Sequence, residues 1–433
     1  MLWQKERPGA DLVIRGARVL DPVEGIDAPL EVRIDGGLIV QVAERVDANE
    51  HRVVEAEGLV LAPSFIDPHV HLRTPGREDE ETVASGTAAA AAGGYCAILA
   101  MPNTDPVVDS ATALGSLVET ARREAEVPVG FLAAITRGQR GEELTEMGEL
   151  ADTGAVAFSD DGAPVASAGL MRRALQYASI TDRPLALHCE EPTLSRGGHV
   201  HEGRVAAELG FAGYPSIAES VAVERDLALA AYEHGRVHVL HLSATESVDA
   251  LRRARETGLA ASGEATPHHL VLTDDAIRSL DPNVKMNPPL RAEQDRLALL
   301  EGLRDGTIEA IATDHAPHAA HEKEVPFEAA PFGVTGLETA FGALYTHLVR
   351  PGLLPLETLL ERMSAGPARI FGLDRPSVAE GARANLVLLD LDREWTVGEQ
   401  PFRSRSANSW LLGSTLTGAV RMTLAGGALV HEA

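Results

Sequence analysis

The chain has 433 residues, and 64 acidic side chains against 38 Lys and Arg give a formal charge of −26. This excess of negative charge argues against nucleic-acid binding through a basic face. With 45% hydrophobic residues the chain can bury a sizeable core, and its length predicts two or three domains, or one large barrel with an accessory domain.

Lysine and cysteine are both scarce. The positive charge is almost entirely arginine, since the only lysines are Lys5, Lys285 and Lys323. The two cysteines, Cys96 and Cys189, cannot form a disulfide framework and neither lies in a CxxC motif, so we expect a reducing, cytoplasmic setting. The sequence shows no apolar signal segment at Met1 to Arg15 and no apolar run near the ~18 residues of a membrane span, which predicts a soluble protein without membrane contact.

Both ends of the chain carry short runs typical of β-strands. The N-terminal runs, separated by Gly and Asp, are Leu12 to Ile14, Leu30 to Ile34, Leu38 to Val42 and Val53 to Ala56. The C-terminal runs are Ala384 to Leu391 and Ala419 to Leu429, with Gly426-Gly427 as a turn signal. We predict that residues 1–60 and 374–433 together form one small β-sandwich domain.

Between them, residues 61–373 alternate short apolar runs with helical stretches such as Thr82 to Ala92, Ala111 to Glu126 and Glu219 to His234. This βα repetition is typical of a parallel sheet. Eight such units predict a (β/α)₈ barrel of the TIM type, whereas the alternative, a doubly wound open sheet, lacks a GxGxxG motif after the first strand. The candidate strands are Val60 to Val70, Cys96 to Met101, Val127 to Ile135, Ala155 to Ser159, Pro184 to His188, Arg236 to Leu242, Leu259 to Glu264 and Thr307 to Thr313.

Polar residues follow these strands at the end that would form the mouth of a barrel. They are His69, His71, Asn103, Asp160, Asp161, His188, His241, Glu264 and Asp314. In His69-Val70-His71 the two imidazoles point to the same side of a strand, so they can share a metal ion. An isolated HxH is better explained by two hydrogen-bonded strand-end residues. Repetition on four strands favours a metal centre, and imidazole with carboxylate suits zinc, with manganese or cobalt as substitutes.

Six ligands predict two metal ions, which need an anionic group between them. A lysine at the end of the fourth strand could supply this group in carboxylated form. None of the three lysines lies near the predicted fourth strand, Ala155 to Ser159. Asp160 or Asp161 would therefore bridge, although Asp-Asp-Gly is also a common turn sequence. Two ions holding a hydroxide, with Asp314 as the proton carrier, predict hydrolysis of an amide-like C–N bond or its reversal.

The ordered motifs resemble those of the class I dihydroorotases of the amidohydrolase superfamily over nearly the whole chain. The matching stretches are Pro68 to Arg73, Ala100 to Thr104, Phe158 to Gly162, Leu187 to Glu191, His241 to Ser243, Thr266 to Leu270, Met286 to Leu290, Ile311 to His318 and Phe332 to Thr339.

The resemblance implies one zinc ion on His69, His71 and Asp314 and a second on His188 and His241, with Asp161 bridging both. It implies reversible cyclisation of N-carbamoyl-L-aspartate to L-dihydroorotate and water, in de novo pyrimidine biosynthesis. A metal-bound hydroxide would attack, and Asp314 would be the catalytic acid and base. The resemblance also implies that the substrate is contacted by His71, Arg73, Asn103, Asn287, His318, Phe332 and Gly333.

The stretch from His315 to Phe332 is expected to form a lid. Two positions depart from the family pattern: Thr74 stands where a glutamate is usual after Arg73, and Asn385 stands in an otherwise Ala-Asp-Leu strand. The rival functions are another cyclic amidase of the hydantoinase or allantoinase type, whose marker would be a lysine on the fourth strand, and a non-catalytic scaffold bound to aspartate carbamoyltransferase. Similar enzymes lead us to expect a homodimer or a complex with that transcarbamoylase.

Overall fold

A computed structural model of the protein describes residues 1–48 and 50–433. The strands are β1 Leu12–Arg15, β2 Arg18–Asp21, β3 Ile26–Pro29, β4 Glu31–Asp35, β5 Leu38–Ala43, β6 Arg52–Glu55, β7 Val60–Pro63, β8 Phe65–Val70, β9 Tyr95–Ala100, β10 Val129–Phe131, β11 Leu185–Leu187, β12 Val200–His201, β13 Gly213–Tyr214, β14 Val237–Val239, β15 Ala261–Ala265, β16 Ala310–Ile311, β17 Leu386–Thr396, β18 Thr415–Ala425 and β19 Ala428–Glu432.

The α-helices are α1 Val83–Ala92, α2 Ala111–Glu124, α3 Met147–Thr153, α4 Ala168–Thr181, α5 Pro192–Ser195, α6 Arg204–Leu209, α7 Ile217–Glu233, α8 Thr245–Glu256, α9 Pro267–Val271, α10 Glu293–Asp305, α11 Ala320–Lys323, α12 Ala340–Leu344, α13 Leu356–Met363 and α14 Ala365–Phe371. Short 3₁₀ turns span Arg137–Gln139, Asp274–Ser279 and Pro282–Val284, and a π-helical turn spans Tyr345–Val349. Among the described residues, no helix has both the length and the apolar character that a membrane crossing requires.

Strands from both ends of the chain share one sheet, in the order β19-β18-β17-β7-β2-β3. A second sheet, β5-β4-β1-β6, is built from N-terminal strands alone. Apolar side chains of both sheets, among them Ile14, Ile34, Leu386 and Leu424, form a common core. Alternating burial along β4 shows the expected pattern of a strand with one face on a core.

The central strands pair in parallel and in chain order. β8 pairs with β9 and β9 with β10, while β11, β14, β15 and β16 form a second parallel run. Single parallel bridges join these runs, from Ala133 to Phe158 and from Phe158 to Leu185. A further bridge joins His315 to Val70, so the succession of pairings returns to the strand where it began.

Two strand predictions are wrong in detail. The predicted strand from Val60 to Val70 is divided at Ser64: β7 pairs with β17 and β2, whereas β8 begins the parallel run. The predicted strand from Ala155 to Ser159 contributes only the bridges at Phe158. The hairpin of β2 and β3 was not predicted, because Pro22 and Pro29 flank or interrupt runs too short to show a period of two.

The helices cover the central strands with apolar faces of helical period. In α2 the buried residues Leu114, Leu117, Val118 and Ala121 lie three and four positions apart, which places them on one face. Ser110 caps this helix, since its hydroxyl accepts a hydrogen bond from the Ala113 amide. Helix α1 begins in the same way with a capping box formed by Thr82 and Ser85.

Candidate metal centre and substrate pocket

Six polar residues from the ends of the parallel strands meet at one place, and we call them the six-residue cluster: His69, His71, Asp161, His188, His241 and Asp314. All six are buried. His241 and Asp314 adopt positive φ angles of 31° and 48°, so the chain turns sharply just where a strand ends. Such conformations are costly for residues other than glycine and persist only where the surrounding structure holds the backbone in place.

Asp161 lies at the centre of this cluster. Its Oδ2 is 3.6 Å from His69 Nε2 and 3.5 Å from His71 Nε2. Its Oδ1 is 3.6 Å from His188 Nδ1 and 3.4 Å from His241 Nε2. The two oxygens of one carboxylate thus face two different histidine pairs, which is the arrangement that a bridge between two cations requires.

Asp314 completes the first of the two groups. Its Oδ1 is 3.1 Å from His71 Nε2 and 3.4 Å from His69 Nε2. On the other side, His188 Nδ1 and His241 Nε2 are 2.9 Å apart. Ligand atoms at about 2.1 Å from a shared ion lie roughly 3.0–3.5 Å from one another, so these separations fit divalent metal binding.

The histidine nitrogens that face away from Asp161 have hydrogen-bond partners. His69 Nδ1 bonds to Glu264 Oε1 at 2.8 Å, and His188 Nε2 bonds to Glu190 Oε2 at 3.0 Å. With a metal ion bound, each of these two rings would carry its proton on the outer nitrogen, held by the carboxylate, and would offer its inner nitrogen to the ion. His69 Nε2 is buried without a hydrogen-bond partner among the described residues, as expected of an atom that ligates a metal.

Asp160 and Asp161 differ in their partners although they are adjacent. Asp160 accepts hydrogen bonds from the amides of Ile135 and Thr136 and from the Thr136 hydroxyl, so it fixes the neighbouring loop. Burial raises the pKa of Asp160 to about 6. Burial would raise the pKa of Asp161 as well, but the surrounding histidines hold it well below its usual range, so Asp161 stays ionised to lower pH than Asp160 does.

Asp67 connects the first and last strands of the parallel run. Its carboxylate accepts from the His69 amide and from both the amide and the hydroxyl of Thr313. Asp67 therefore holds His69, in β8, and Asp314, after β16, in a fixed position relative to each other. This contact explains how groups about 245 positions apart in the chain reach one cluster.

A cavity of about 350 Å³ opens above the cluster. Residues from loops form its outer side, which we call the loop wall: Arg73, Asn287, His318, Phe332 and Gly333. Asn103 lies between the two sides, since its Oδ1 accepts from His71 Nδ1 at 2.9 Å and its Nδ2 donates to Asp161 Oδ2 at 3.3 Å. Gly333 has φ +113° and sits so close to Ala316 that a Cβ would approach the Ala316 methyl to 2.6 Å.

Two buried lysines hold the segment that carries Phe332. Lys285 Nζ donates to the carbonyls of Glu328 and Ala330 at 2.8 and 2.7 Å, and lies 4.7 Å from the ring centre of Phe332. Lys323 Nζ donates to the carbonyls of Pro282 and Pro331 at 3.1 and 2.8 Å. The segment predicted as a lid, residues 315–332, which we call the covering segment, supplies His318, Pro331 and Phe332 to the cavity lining and contains the short helix α11.

Comparison with known proteins supplies the decisive observation. Residues 58–247 match a family model described as dihydro-orotase-like. Curated dihydroorotases from Anaeromyxobacter sp. (strain K) and Syntrophus aciditrophicus are 48% and 43% identical to the chain, over 97% of its length and 98% and 99% of theirs. The chain belongs to the dihydroorotase family.

Solved structures of related cyclic amidases share the fold of this dihydroorotase family member. An L-hydantoinase from Arthrobacter aurescens superimposes with a TM-score of 0.88 at 26% identity, covering 98% of this chain and 96% of the other. A dihydropyrimidinase from Brevibacillus agri gives 0.85 at 25% identity, covering 98% and 95%.

All but one of the predicted site residues of this dihydroorotase family member line the same cavity. The exception is His69, which is fully buried beside the cavity-lining residues of the cluster. Two acidic residues were not predicted as part of the site. Glu264 was noticed only as a strand-end residue, yet it binds both His69 and the buried His238. Glu190 stands two positions after His188 and binds its outer nitrogen. A carboxylate two residues after a ligand histidine was the available signal for Glu190.

Proposed function

We propose that the protein is a dihydroorotase of class I, which interconverts N-carbamoyl-L-aspartate and L-dihydroorotate with release or uptake of water. The observation that supports this proposal is that Arg73 lines the same cavity as a cluster of residues able to bind metal ions. Its terminal guanidinium nitrogens make no hydrogen bonds within the described chain, and the residue lines the cavity. A guanidinium with a free fork suits a substrate carboxylate, which dihydroorotate carries and a simple hydantoin lacks.

Two divalent ions are the cofactors in this proposal, with zinc preferred and manganese or cobalt as substitutes. His69, His71 and Asp314 would hold one ion, His188 and His241 the other, and Asp161 would span both. When bound, the ions supply the Lewis acidity that hydrolysis of an unactivated amide needs. Asp161 rather than Asp160 is the bridge in this proposal, because only Asp161 faces both histidine pairs.

Asp314 is the residue we assign to proton transfer. Burial would raise its pKa, but His69 and His71 hold it below the usual range, so the carboxylate is ionised at neutral pH and can accept a proton. In hydrolysis Asp314 takes a proton from the attacking water and delivers it to the departing ring nitrogen. In ring closure Asp314 takes a proton from the attacking ureido nitrogen and delivers it to the oxygen that departs as water.

The remaining pocket residues would orient the ring. Asn287 Oδ1 is buried without a partner among the described residues while Asn287 Nδ2 donates to Glu190, so the carbonyl oxygen is available to a ring N–H. Arg73 and Asn103 would bind the unreactive carboxylate, with His71 and His318 also in contact with the substrate. Phe332 and Gly333 would close over the ring.

We also infer that the closed succession of parallel strands is a (β/α)₈ barrel and that the two ends of the chain form the β-sandwich beside it. The pairing of β7 with β17 supports a first domain boundary after Pro63 rather than at residue 60. A homodimer, a complex with aspartate carbamoyltransferase and a cytoplasmic location remain predictions.

Metal analysis combined with turnover tests the function. Purified protein loaded with zinc should consume dihydroorotate, followed through loss of its ultraviolet absorbance, with two ions per chain. Hydantoin and dihydrouracil serve as the comparison substrates for the rival cyclic-amidase function, which the structural likeness to hydantoinases favours. Faster turnover of these uncharged rings, or stoichiometric metal without any turnover of dihydroorotate, would refute the proposal.

A further inference from the structure

Two arginines and a histidine meet at one buried carboxylate, Glu80. Arg73 Nε is 3.0 Å from Glu80 Oε2. Arg77 Nη2 donates to Glu80 Oε1 at 2.7 Å, and His318 Nδ1 lies 3.3 Å from the same oxygen. Glu80 is only 1% exposed, so its charge has little water to stabilise it and depends on these partners.

The position of Arg73 depends on few contacts. Its Nε donates to the carbonyl of Pro317 at 3.1 Å, and Glu80 is the carboxylate within ion-pair distance of it in the described chain. The neighbouring Thr74 contributes nothing, because its buried hydroxyl has no hydrogen-bond partner among the described residues.

His318 is held from two sides. Its Nδ1 faces Glu80, while its Nε2 lies 2.8 Å from the carbonyl of Phe332 on the covering segment. Glu80 thus connects Arg73, on the loop after β8, with His318, which follows β16. One carboxylate fixes the spacing between two residues that face the substrate cavity from different loops.

Glu80, His318 and Glu322 also offer ligand atoms within 4.8 Å of one another. However, Arg73 and Arg77 pair with Glu80, and Arg77 also donates to Glu322 at 2.8 Å. The carboxylates are therefore already neutralised by guanidinium groups. The group is an ion-pair network rather than a cation site.

We propose that Glu80 is a positioning residue, which orients Arg73 at a fixed distance from His318 so that the guanidinium group meets the carboxylate of the substrate. This inference rests on the proposed dihydroorotase function. Thr74, the neighbour of Arg73, does not orient the guanidinium group, and the inference assigns that role to Glu80. Glu80 acts through Arg73 and takes no part in the chemistry at the amide.

The test is the Glu80→Gln variant, which keeps the size of the side chain and removes its charge. We expect KM for dihydroorotate to rise roughly 10- to 100-fold, while kcat changes less than about threefold and the metal content stays at the wild-type value. The matched control is Asp79→Asn, the adjacent carboxylate, whose side chain is 59% exposed and which should leave KM unchanged. If Glu80→Gln does not fold, Glu80→Asp keeps the charge, withdraws it from Arg73 and should raise KM in the same way.

A double variant separates positioning from general stability. If Glu80 acts through Arg73, Glu80→Gln should add little to the KM effect of Arg73→Lys. Independent, additive effects, an unchanged KM, or a loss of kcat and metal together would overturn the inference. A wild-type protein without dihydroorotate turnover would instead reject the proposed function, so the two failures are distinguishable.

Discussion

The six-residue cluster and the loop wall face each other across one cavity, yet they are held in different ways. Cluster residues lie at strand ends, where backbone pairing sets their positions, and carboxylates such as Glu264 bind the outer nitrogens of their rings. Loop-wall residues depend on ion pairs between loops and on lysines that bind backbone carbonyls, as in Glu80 with Arg73 and Lys285 with Ala330.

This difference matches the two tasks that we propose for the site. Metal ligands must be placed to within a few tenths of an ångström, which regular strands with hydrogen-bonded partners provide. Substrate-binding groups must admit and release a small molecule, which loops allow. We therefore expect changes in the cluster to affect metal content and kcat, and changes in the loop wall to affect KM and local stability.

The largest effect is expected for Asp314→Asn. The amide cannot accept the proton from the attacking water, so kcat should fall by at least about 1,000-fold. Steady-state kinetics measures the loss, and metal analysis of the same sample shows how much of it reflects weaker metal binding. Activity within about tenfold of wild type would show that Asp314 is not the proton carrier.

Asp161→Ala and Asp160→Asn test the centre of the cluster. Removing the carboxylate that faces both histidine pairs should lower the metal content to one ion per chain or less. Asp160→Asn should keep two ions and lose thermal stability instead, because Asp160 holds the amides of Ile135 and Thr136. Metal analysis with thermal unfolding measures both, and the opposite pattern would identify Asp160 as the bridge.

Glu190→Gln should have an intermediate effect. Loss of the carboxylate that fixes the His188 ring should weaken metal binding about 10- to 100-fold, measured by competition with a chelator. Glu191→Gln is the matched control, since Glu191 is adjacent but caps only the exposed Thr193. Equal metal affinity in both variants would show that Glu190 does not orient the histidine.

The smallest expected effect is the pH dependence of stability that comes from Lys323, which holds the segment carrying Phe332 of the loop wall. Burial lowers the pKa of Lys323 from 10.5 to about 7. Between these values the unfolded chain binds the proton and the folded chain does not, so the Lys323 contribution to the free energy of unfolding rises with pH, by at most about 1.4 kcal/mol per unit. Below pH 7 the buried charge opposes folding in full.

Denaturant unfolding across pH 7 to 10.5 checks this window. Lys323→Met and Lys323→Arg should both lose the rising component, because neither side chain titrates there. The kcat of both should stay close to wild type if the lysine only holds the covering segment. An unchanged pH dependence in both variants would contradict the assignment to Lys323.

Much of the cluster could be predicted from sequence, for a physical reason. A strand's side chains alternate strictly, so His69 and His71 had to face one side, and parallel strands place their carboxyl ends together. Because no lysine lies near the fourth strand, the sequence predicted Asp160 or Asp161 as the bridging group. The choice between them required the structure, because adjacent residues of a turn show no periodicity.

The loop wall was predicted by resemblance alone. Arg73 and His318 carry no local pattern, and the contact between Glu80 and His318 joins positions 238 residues apart. The division of the first predicted strand at Ser64 was missed because the residues on either side of it, Val60 to Ala62 and Phe65-Ile66, are apolar. Only their hydrogen-bond partners, β17 for one and β9 for the other, distinguish them.

The sequence by itself determined the alternation of strands and helices, the strand ends that carry imidazole and carboxylate, and the dihydroorotase family, because these depend on residue types at short spacing. The tertiary structure decided which carboxylate lies between the histidines, which acids fix their rings and what orients Arg73. Those outcomes depend on distances between distant parts of the chain. Burial makes each of those pairings energetically decisive, since a charge without its partner there has no water to replace it.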